Sequence, residues 1–562
     1  MRHRVLAIGF DSAEPTVVEK YIDAGYLPTL RRLRDTGAYG RLENFDVFSA
    51  ETPWTTFATG CSPQKLGYWS PLRLAKGRYA METRAAYEYT EVPPFYALGD
   101  KARVAVFDVP QVRIVPGVNG IQVGAWGAHS PQVPSASDPA GLLEELTSKH
   151  GHHPGLHDDY GECLDMSSVE RIRHLLPIGI QRRADICVDL LQREPWDLFL
   201  TVFGEPHTVG HNMWQVSQPD HPLYDVLSSK VEGDPMREAY EDMDHAIARI
   251  VAAAGPEMRV IVFSAHGMGP NTMDLASMGF LPEFLYRYNF PGQRFIGAGD
   301  DSAPLPPPIT APLRNSWIWD VWANAHDKNP LRRWLRQRLP WGALKYIEPL
   351  FKRHGRVEPD NPLKLFDDGL PEVPFEPATW YRPFWPQMKA FALPSFSEGY
   401  VRLNVRGREP NGIVDPEDYI KVREEIIDAL EQMRCGRSGE KMVRRVVRTR
   451  ESALDDDPRL PDADIVLGWQ ETYATDVVES PHVGRIGPVA HYRAGSHRSE
   501  GFALAAGPGI AEGSETPRGH ALDIAPTILS LMGLTPTEHV EGKPLAIPEK
   551  GVRAVPLRAS GK

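Results

Sequence analysis

Short apolar runs alternate with amphipathic segments along the first half of the chain. The runs at 5–10, 103–107, 197–203 and 260–263 are rich in β-branched and aromatic residues, which is typical of buried strands. Segments with apolar residues at helical spacing lie between these runs. Because a strand followed by a helix is the unit of a parallel sheet, the pattern predicts an α/β fold. The central sheet is expected to be mostly parallel, with helices on both faces.

The helical segments have clear starting signals. Pro15 begins one predicted helix and Pro28 begins a second, since proline suits the first helical position. Two longer helices are predicted at 169–193, with a disturbance at Pro177, and at 236–253.

The composition changes after residue 270. Residues 271–396 are rich in proline and tryptophan, which predicts an inserted cap or lid that is partly irregular. Beyond this insert, strands are predicted at 400–405, 464–469 and 502–506, and helices at 420–433 and 523–533. The predicted organisation is a core in two parts, at 1–270 and 397–548, with the insert at 271–396 and a loose tail at 549–562.

Tryptophans and arginines stand out within the insert. The tryptophans either line a substrate cleft or form a small satellite core. The arginines either meet an anionic substrate or lie on a solvated helix face. The residues concerned are Trp317, Trp319, Trp322, Trp334 and Trp341, and Arg332, Arg333, Arg336 and Arg338.

Polar side chains follow several of the predicted strands, at the point where each strand ends. Asp11 directly follows the first run, and His266 follows another run between small residues. His207 and His211 come four residues apart after a third run, and they share one face if that segment is helical. His497 lies in a predicted glycine-flanked loop. Imidazoles and a carboxylate at the carboxyl ends of parallel strands suit zinc or a related divalent ion.

Each of these residues also has a plainer interpretation. Asp11 could cap the helix that follows it, and His266 could belong to an ordinary turn. His207 and His211 could be a solvated or capping pair. The recurrence of the same arrangement after several strands favours a metal site.

Residues 48–60 are dense in hydroxyl groups. Thr52 followed by Pro53 predicts a helix N-cap and the first helical position. A hydroxyl at a helix N-terminus faces free N–H groups and the positive end of the helix dipole, so it is well placed as a nucleophile that must also hold an anion. The alternative is that Thr52 only caps the helix.

Composition and charge restrict the class of protein further. The formal net charge of −12 argues against a protein that coats nucleic acid. Four scattered cysteines provide neither a disulfide framework nor a cysteine-based zinc site. No apolar stretch is long enough to span a membrane, and the first apolar run is too short for a signal peptide. A cytoplasmic protein without membrane association is therefore expected.

Taken in order, the motifs resemble those of the alkaline phosphatase superfamily, and within it the type I phosphodiesterase/nucleotide pyrophosphatase-like branch. The resemblance covers nearly the whole core, and the order of the motifs is its specific feature. The motifs are Gly9-Phe-Asp11, residues 24–30, Trp54 with Thr59-Gly60 and Pro63, His211, Ser264 with His266-Gly267, residues 407–413, Gly495-Ser-His497 and residues 523–527.

The resemblance implies a two-metal site at the carboxyl edge of the sheet. By position, His211 and His497 would hold the first metal, with His207 where the family has Asp. Asp11 and His266 would hold the second metal together with the oxygen of a Thr or Ser nucleophile. The expected cofactor is a divalent metal, with zinc favoured, up to two ions per chain.

The chain departs from the family pattern in three places. Ala265 stands where the family has a metal-binding Asp, and His207 replaces another. The nucleophile is out of register, because the family spacing falls on an alanine; Thr52 is favoured and Ser49 is the other neighbour. Glu51, at the same turn, is a candidate replacement for the missing carboxylate.

The sequence therefore predicts a metal-dependent hydrolase of phosphodiester or nucleotide pyrophosphate bonds. It would act through Thr52 and a phospho-enzyme intermediate on a small-molecule phosphate ester. Two alternatives stay open: a non-catalytic relative that binds a ligand, and a phosphoryl transferase or mutase on the same scaffold. The oligomeric state is not predictable from the sequence.

Overall fold

The computed structural model describes residues 3–47, 52–83, 92–127, 133–156, 163–296, 301–311, 329–339, 377–395 and 397–550, and positions 321, 343–344, 346–347 and 350. Several predicted features lie outside the described residues. They are Ser49, Glu51, Trp317, Trp319, Trp322, Trp341 and residues 551–562.

Most predicted helices form close to their predicted positions. The longest, Met166–Arg193, contains Pro177 without ending there. Pro15, Pro28 and Pro53 each occupy the first turn of a helix, as predicted. Within the described residues, the α-helices are Pro15–Asp23, Pro28–Asp35, Pro53–Thr59, Pro63–Leu66, Leu142–His150, Met166–Arg193, Glu205–Ser217, Tyr224–Leu227, Pro235–Ala254, Leu281–Asn289, Pro330–Arg338, Tyr419–Glu431 and Ile524–Leu531.

A ten-stranded, largely parallel sheet forms the centre of the core. Parallel pairing joins its middle strands, whereas Gly501–Ala506 runs antiparallel to both of its neighbours. In spatial order the strands are Ser514–Glu515, Gly37–Glu43, Gly501–Ala506, Met258–Ser264, Arg4–Phe10, Leu198–Phe203, Val104–Phe107, Gly120–Gly124 and Ala136–Asp138, and Gly519–His520 also pairs with Gly37–Glu43.

Helices cover both faces of this sheet, as the sequence predicts. Alternate side chains of the first strand enter two different apolar layers: Leu6 and Ile8 pack into one, and Val5 and Ala7 into the other. The first layer includes the long helices Met166–Arg193 and Pro235–Ala254, and the second includes Pro53–Thr59 and Ile524–Leu531. Burial on both faces explains why the central strands are continuous apolar runs.

A second apolar core lies beside the first and is organised by a smaller antiparallel sheet. In spatial order, the strands of this sheet are Ala390–Leu393, Gly399–Leu403, Ile465–Trp469 and Val443–Arg448. The helices Leu281–Asn289 and Tyr419–Glu431 pack in the same core. The division of the chain into domains at residues 270 and 396 stays a prediction.

Smaller strand pairs complete the described structure. They are Leu72–Leu74 with Met81–Thr83, Val478–Ser480 with Arg434–Cys435 and Gly484–Ile486, and Gly267–Pro270 with Gly495–Arg498. The last pair corrects the prediction of a loop at His497, because residues 495–498 form an antiparallel ribbon with 267–270. Four residues are too few to show an alternating pattern in the sequence.

The arginine-rich part of the insert forms the helix Pro330–Arg338, in which Leu331 and Trp334 are exposed. The Arg338 guanidinium lies 5.2 Å from the centre of the Trp334 ring. Among the described helices, none is long and apolar enough to cross a membrane.

Two buried histidines, His221 and His491, pack against each other with their ring centres 5.4 Å apart. Burial lowers the pKa of His491 to about 4, and the nearby Arg437 lowers it further against the opposing effect of Asp476. Burial also holds the pKa of His221 well below its usual value. Both rings are therefore neutral in the folded protein near neutral pH.

We predict that His491 makes the fold sensitive to acid. The pKa of His491 is depressed in the folded state. Its contribution to the free energy of unfolding is therefore complete above pH 6.5 and is lost as the pH falls toward 4. At pH 5 the loss is about 2 kcal/mol, because the unfolded chain binds a proton that the folded chain excludes. When unfolding is measured with denaturant, the free energy of unfolding of His491→Phe should fall less between pH 7 and pH 5 than that of the unmodified protein.

The matched control for this prediction is His174→Ala, which removes an exposed histidine from the helix Met166–Arg193. The control should follow the pH dependence of the unmodified protein. Equal pH dependence of His491→Phe and the unmodified protein would contradict the assignment.

Candidate metal centre

Three adjacent strands of the central sheet end at the same level. In the parallel register, Phe10 pairs with Phe203 on one side and with Ser264 on the other. The residues that follow these three positions therefore meet at one edge of the sheet. Asp11, His207 and His266 are delivered there from the first, second and third of these strands.

His207 and His211 lie on the helix Glu205–Ser217, which starts two residues after the strand Leu198–Phe203. Their spacing of four residues puts both rings on one face. His497 reaches the same place from the ribbon strand Gly495–Arg498. The ligand nitrogens of the three histidines all lie within 4.8 Å of one another, and all three side chains are buried. The alternative of a solvated pair at 207 and 211 is therefore wrong.

A backbone contact orients the ring of His211. Nδ1 lies 2.7 Å from the carbonyl oxygen of Gly495, which can only accept a hydrogen bond, so Nδ1 carries the proton in the neutral ring. Nε2 is then the basic nitrogen, and it faces Nε2 of His497 at 3.3 Å. A Cβ atom at Gly495 would lie 2.3 Å from the carbonyl oxygen of Gly210, so only glycine allows this approach.

Asp11 lies on the other side of His497 and is 1% exposed. Its Oδ1 atom accepts a hydrogen bond from the Trp54 indole at 2.9 Å and lies 3.8 Å from His266 Nε2. The next helix begins at Pro15 with Glu14 at its N-cap, so the interpretation of Asp11 as a capping residue is wrong. The ring centres of His266 and His497 are 5.1 Å apart, so the two sets of predicted ligands are adjacent.

Ser12, which the sequence does not single out, lies among the predicted ligands. Its hydroxyl lies 2.7 Å from His266 Nε2, 3.1 Å from His497 Nδ1 and 3.2 Å from Asp11 Oδ1. A serine after an aspartate gives no signal in the sequence, because only the fold brings residues 266 and 497 to it.

Thr52 occupies the N-cap position of the helix Pro53–Thr59, as predicted, and is 2% exposed. Its side chain makes no capping hydrogen bond to this helix. Trp54, two residues later, ties the first turn of this helix to Asp11.

The segment before Thr52 is held from two sides. Asn44 donates a hydrogen bond to the carbonyl oxygen of Ala265 at 2.9 Å. Arg445, on a strand of the second core, contacts the Phe45 carbonyl oxygen at 3.3 Å, Asp46 at 3.2 Å and Glu398 at 3.0 Å. The second core thus contributes to positioning the chain that leads to Thr52.

The site has a carboxylate network behind the histidine helix. Arg183, fully buried, lies 2.9 Å from Asp108 and 3.2 Å from Glu205, which also lies 3.2 Å from His153 Nε2. Burial alone would raise the pKa of Glu205, but Arg183 and His153 outweigh it and lower that pKa to about 2. Glu205 is therefore a carboxylate that is already paired at the start of this helix.

The donor set fits a divalent metal. Three imidazoles with converging nitrogens are a common ligand set for zinc, and a carboxylate oxygen with a fourth imidazole lies directly beside them. Ala265 adds no ligand, because its methyl group packs in the apolar layer that contains Trp54, Phe57 and Phe263.

The sequence profile described as type I phosphodiesterase / nucleotide pyrophosphatase matches residues 5–289, about half of the chain. No curated protein matches the sequence significantly.

Solved structures with a similar backbone include phosphonoacetate hydrolase from Sinorhizobium meliloti 1021 in complex with phosphonoformate. It is 16% identical with a TM-score of 0.48, over 94% of this chain and 96% of that one. Human ectonucleotide pyrophosphatase / phosphodiesterase 5 is 11% identical with a TM-score of 0.47, over 96% and 97%.

The profile match begins in the first strand of the central sheet and includes Asp11, Thr52, His207, His211 and His266. The resemblance drawn from the sequence motifs is thereby confirmed: the chain belongs to the type I phosphodiesterase/nucleotide pyrophosphatase family of the alkaline phosphatase superfamily and is a phosphoric ester hydrolase.

Proposed function

We propose that this hydrolase is metal-dependent and cleaves phosphodiester or nucleotide pyrophosphate bonds through the hydroxyl of Thr52. The observation that carries the proposal is the group His207, His211 and His497, whose ligand nitrogens converge within 4.8 Å in a buried position. Three buried imidazoles with converging ligand nitrogens are suited to sharing a cation.

Zinc is the metal we propose, because nitrogen donors outnumber oxygen donors in the site. His207, His211 and His497 would hold one ion, and Asp11 and His266 would hold a second. Such ions supply charge that stabilises the developing oxyanion and the leaving oxygen in phosphoryl transfer. The Gly495 carbonyl oxygen orients the ring of His211, and the Trp54 indole holds the carboxylate of Asp11 in place.

Thr52 is the proposed nucleophile. Its oxygen forms a bond to phosphorus as the bond from phosphorus to the leaving oxygen breaks, and the leaving group takes up the proton that the hydroxyl loses. The intermediate is a phosphoryl ester of Thr52 that keeps the other substituent of the substrate phosphate. Water then cleaves this ester and regenerates the hydroxyl. The N-cap position of Thr52 and the link from Trp54 to Asp11 support this role.

The proposed substrates are small diesters and pyrophosphates rather than monoesters, as in the branch of the superfamily to which the chain belongs. Hydrolysis of bis-p-nitrophenyl phosphate should be faster than that of the monoester at equal metal loading. Added alcohols separate a hydrolase from a transferase, since a transferase would yield mainly the alcohol ester.

We predict that His211→Ala and His497→Ala each lose at least one metal ion per chain, measured by elemental analysis of the purified protein. Hydrolysis of the diester should fall at least about 100-fold, because ligand loss costs more than loss of a partner that only orients a ligand. The control His174→Ala should retain both metal and activity. Full activity in the two ligand variants would refute the metal-dependent mechanism and favour the alternative of a binding protein.

We predict that Thr52→Ala loses the phospho-enzyme. Diester turnover should fall at least about 1,000-fold, as expected when a nucleophile is removed, while the metal content changes little. Acid-quenched reactions with bis-p-nitrophenyl phosphate, analysed by mass spectrometry, should show a peptide that contains residue 52 and carries a p-nitrophenyl phosphate group, and Thr52→Ser should retain part of the activity.

Ser49→Ala is the matched comparison, since the sequence left this residue as the other candidate. The Ser49→Ala variant should form the covalent intermediate and hydrolyse the diester as the unmodified protein does. Labelling that survives Thr52→Ala and disappears in Ser49→Ala would move the nucleophile to position 49.

A further inference from the structure

Ser12 has an unusual backbone at the centre of the site. It follows Asp11 at the end of the first strand, it is fully buried, and its φ is 60°. Few residues other than glycine, asparagine and aspartate adopt this left-handed conformation, and such residues cluster at functional sites. The conformation turns the hydroxyl toward the predicted metal ligands.

The Ser12 hydroxyl contacts both sets of predicted ligands. It lies 2.7 Å from His266 Nε2 and 3.2 Å from Asp11 Oδ1, which belong to the second set. It also lies 3.1 Å from His497 Nδ1, whose other ring nitrogen faces His211 in the first set. His497 can donate from Nδ1 to this hydroxyl and keep Nε2 basic for a metal.

Three of these atoms are spaced as the ligands of one ion. Ser12 Oγ, His266 Nε2 and Asp11 Oδ1 form a triangle with sides of 2.7, 3.2 and 3.8 Å. Ligand atoms that bind one zinc ion at about 2.1 Å are separated by roughly 3.0–3.4 Å. The three observed separations lie below, within and above this range, so a single ion can reach all three atoms.

Two described carboxylates that lie close to the site residues in the sequence have other partners. Glu14 accepts a hydrogen bond from Thr16 at 2.8 Å and lies 3.7 Å from Arg498. Glu205 pairs with Arg183. Ala265, at the position of the family carboxylate, has only a methyl group. Among the described residues, Ser12 is an oxygen donor that the fold brings to this place.

We propose that the Ser12 hydroxyl is a ligand of the second metal and replaces the carboxylate that is missing at position 265. This inference rests on the proposed metal-dependent function. The alternative for Ser12 is a hydrogen bond that only orients His266, in which case loss of the hydroxyl should weaken the second ion by no more than about 10–100-fold.

The test is Zn²⁺ binding to the metal-stripped full-length protein, measured by competition with a chelating indicator and by native mass spectrometry. The unmodified chain should bind two ions. Ser12→Gly should keep the first and weaken the second more than about 100-fold, since loss of a partner that only orients a ligand costs about 10–100-fold in affinity. Glycine is suited to a φ of 60°, so this variant should fold with an unchanged or higher melting temperature.

Two further variants sharpen the result. Ser12→Asp restores an oxygen ligand and tolerates the left-handed backbone, so it should bind the second ion at least as tightly as the unmodified protein. Glu51→Gln tests the other replacement that the sequence offers, and it should leave both ions bound.

The outcomes are distinguishable. A second ion that Ser12→Gly binds with unchanged affinity, or no more than about 100-fold more weakly, would overturn the Ser12 assignment and leave the proposed function intact. Loss of the second ion in Glu51→Gln but not in Ser12→Gly would give the role to Glu51. If the unmodified protein binds no Zn²⁺ and hydrolyses no diester, the proposed function and this inference both fail.

Discussion

The candidate site depends on the register of three parallel strands. Because Phe10 pairs with Phe203 and Ser264, the three strands end at one level. Asp11, His266 and the helix that carries His207 and His211 therefore follow at the same edge of the sheet. These strands are buried on both faces, and each buried aliphatic or aromatic side chain contributes about 1.5–3 kcal/mol. A slip of one residue would turn the apolar side chains to the wrong faces and separate the ligands.

Two structural supports fix the ligands within this frame. On one side, Arg183 pairs with Asp108 and Glu205, and Glu205 begins the helix that carries His207 and His211. Desolvation offsets most of the attraction in a buried ion pair, so we expect this network to contribute more to geometry than to net stability. On the other side, the ribbon of residues 267–270 and 495–498 brings His497 against His211.

Arg445 links the second core to the segment at residues 45–46. Arg445 lies across Gly468, where a Cβ atom would come within 2.7 Å of it, and reaches Phe45 and Asp46. These residues precede Thr52 in the chain. The smaller sheet therefore contacts the described chain just before the position of the proposed nucleophile.

The sequence by itself determined the local elements and most of the candidate ligands. Apolar runs marked the central strands, prolines marked helix starts, and Asp11, His207, His211 and His266 were visible as polar residues at strand ends, because these signals involve only neighbouring residues. The tertiary structure alone decided the ribbon that carries His497, the use of Ser12, and the clamp by Arg445. Each joins residues far apart in the chain, and no local pattern records such a contact.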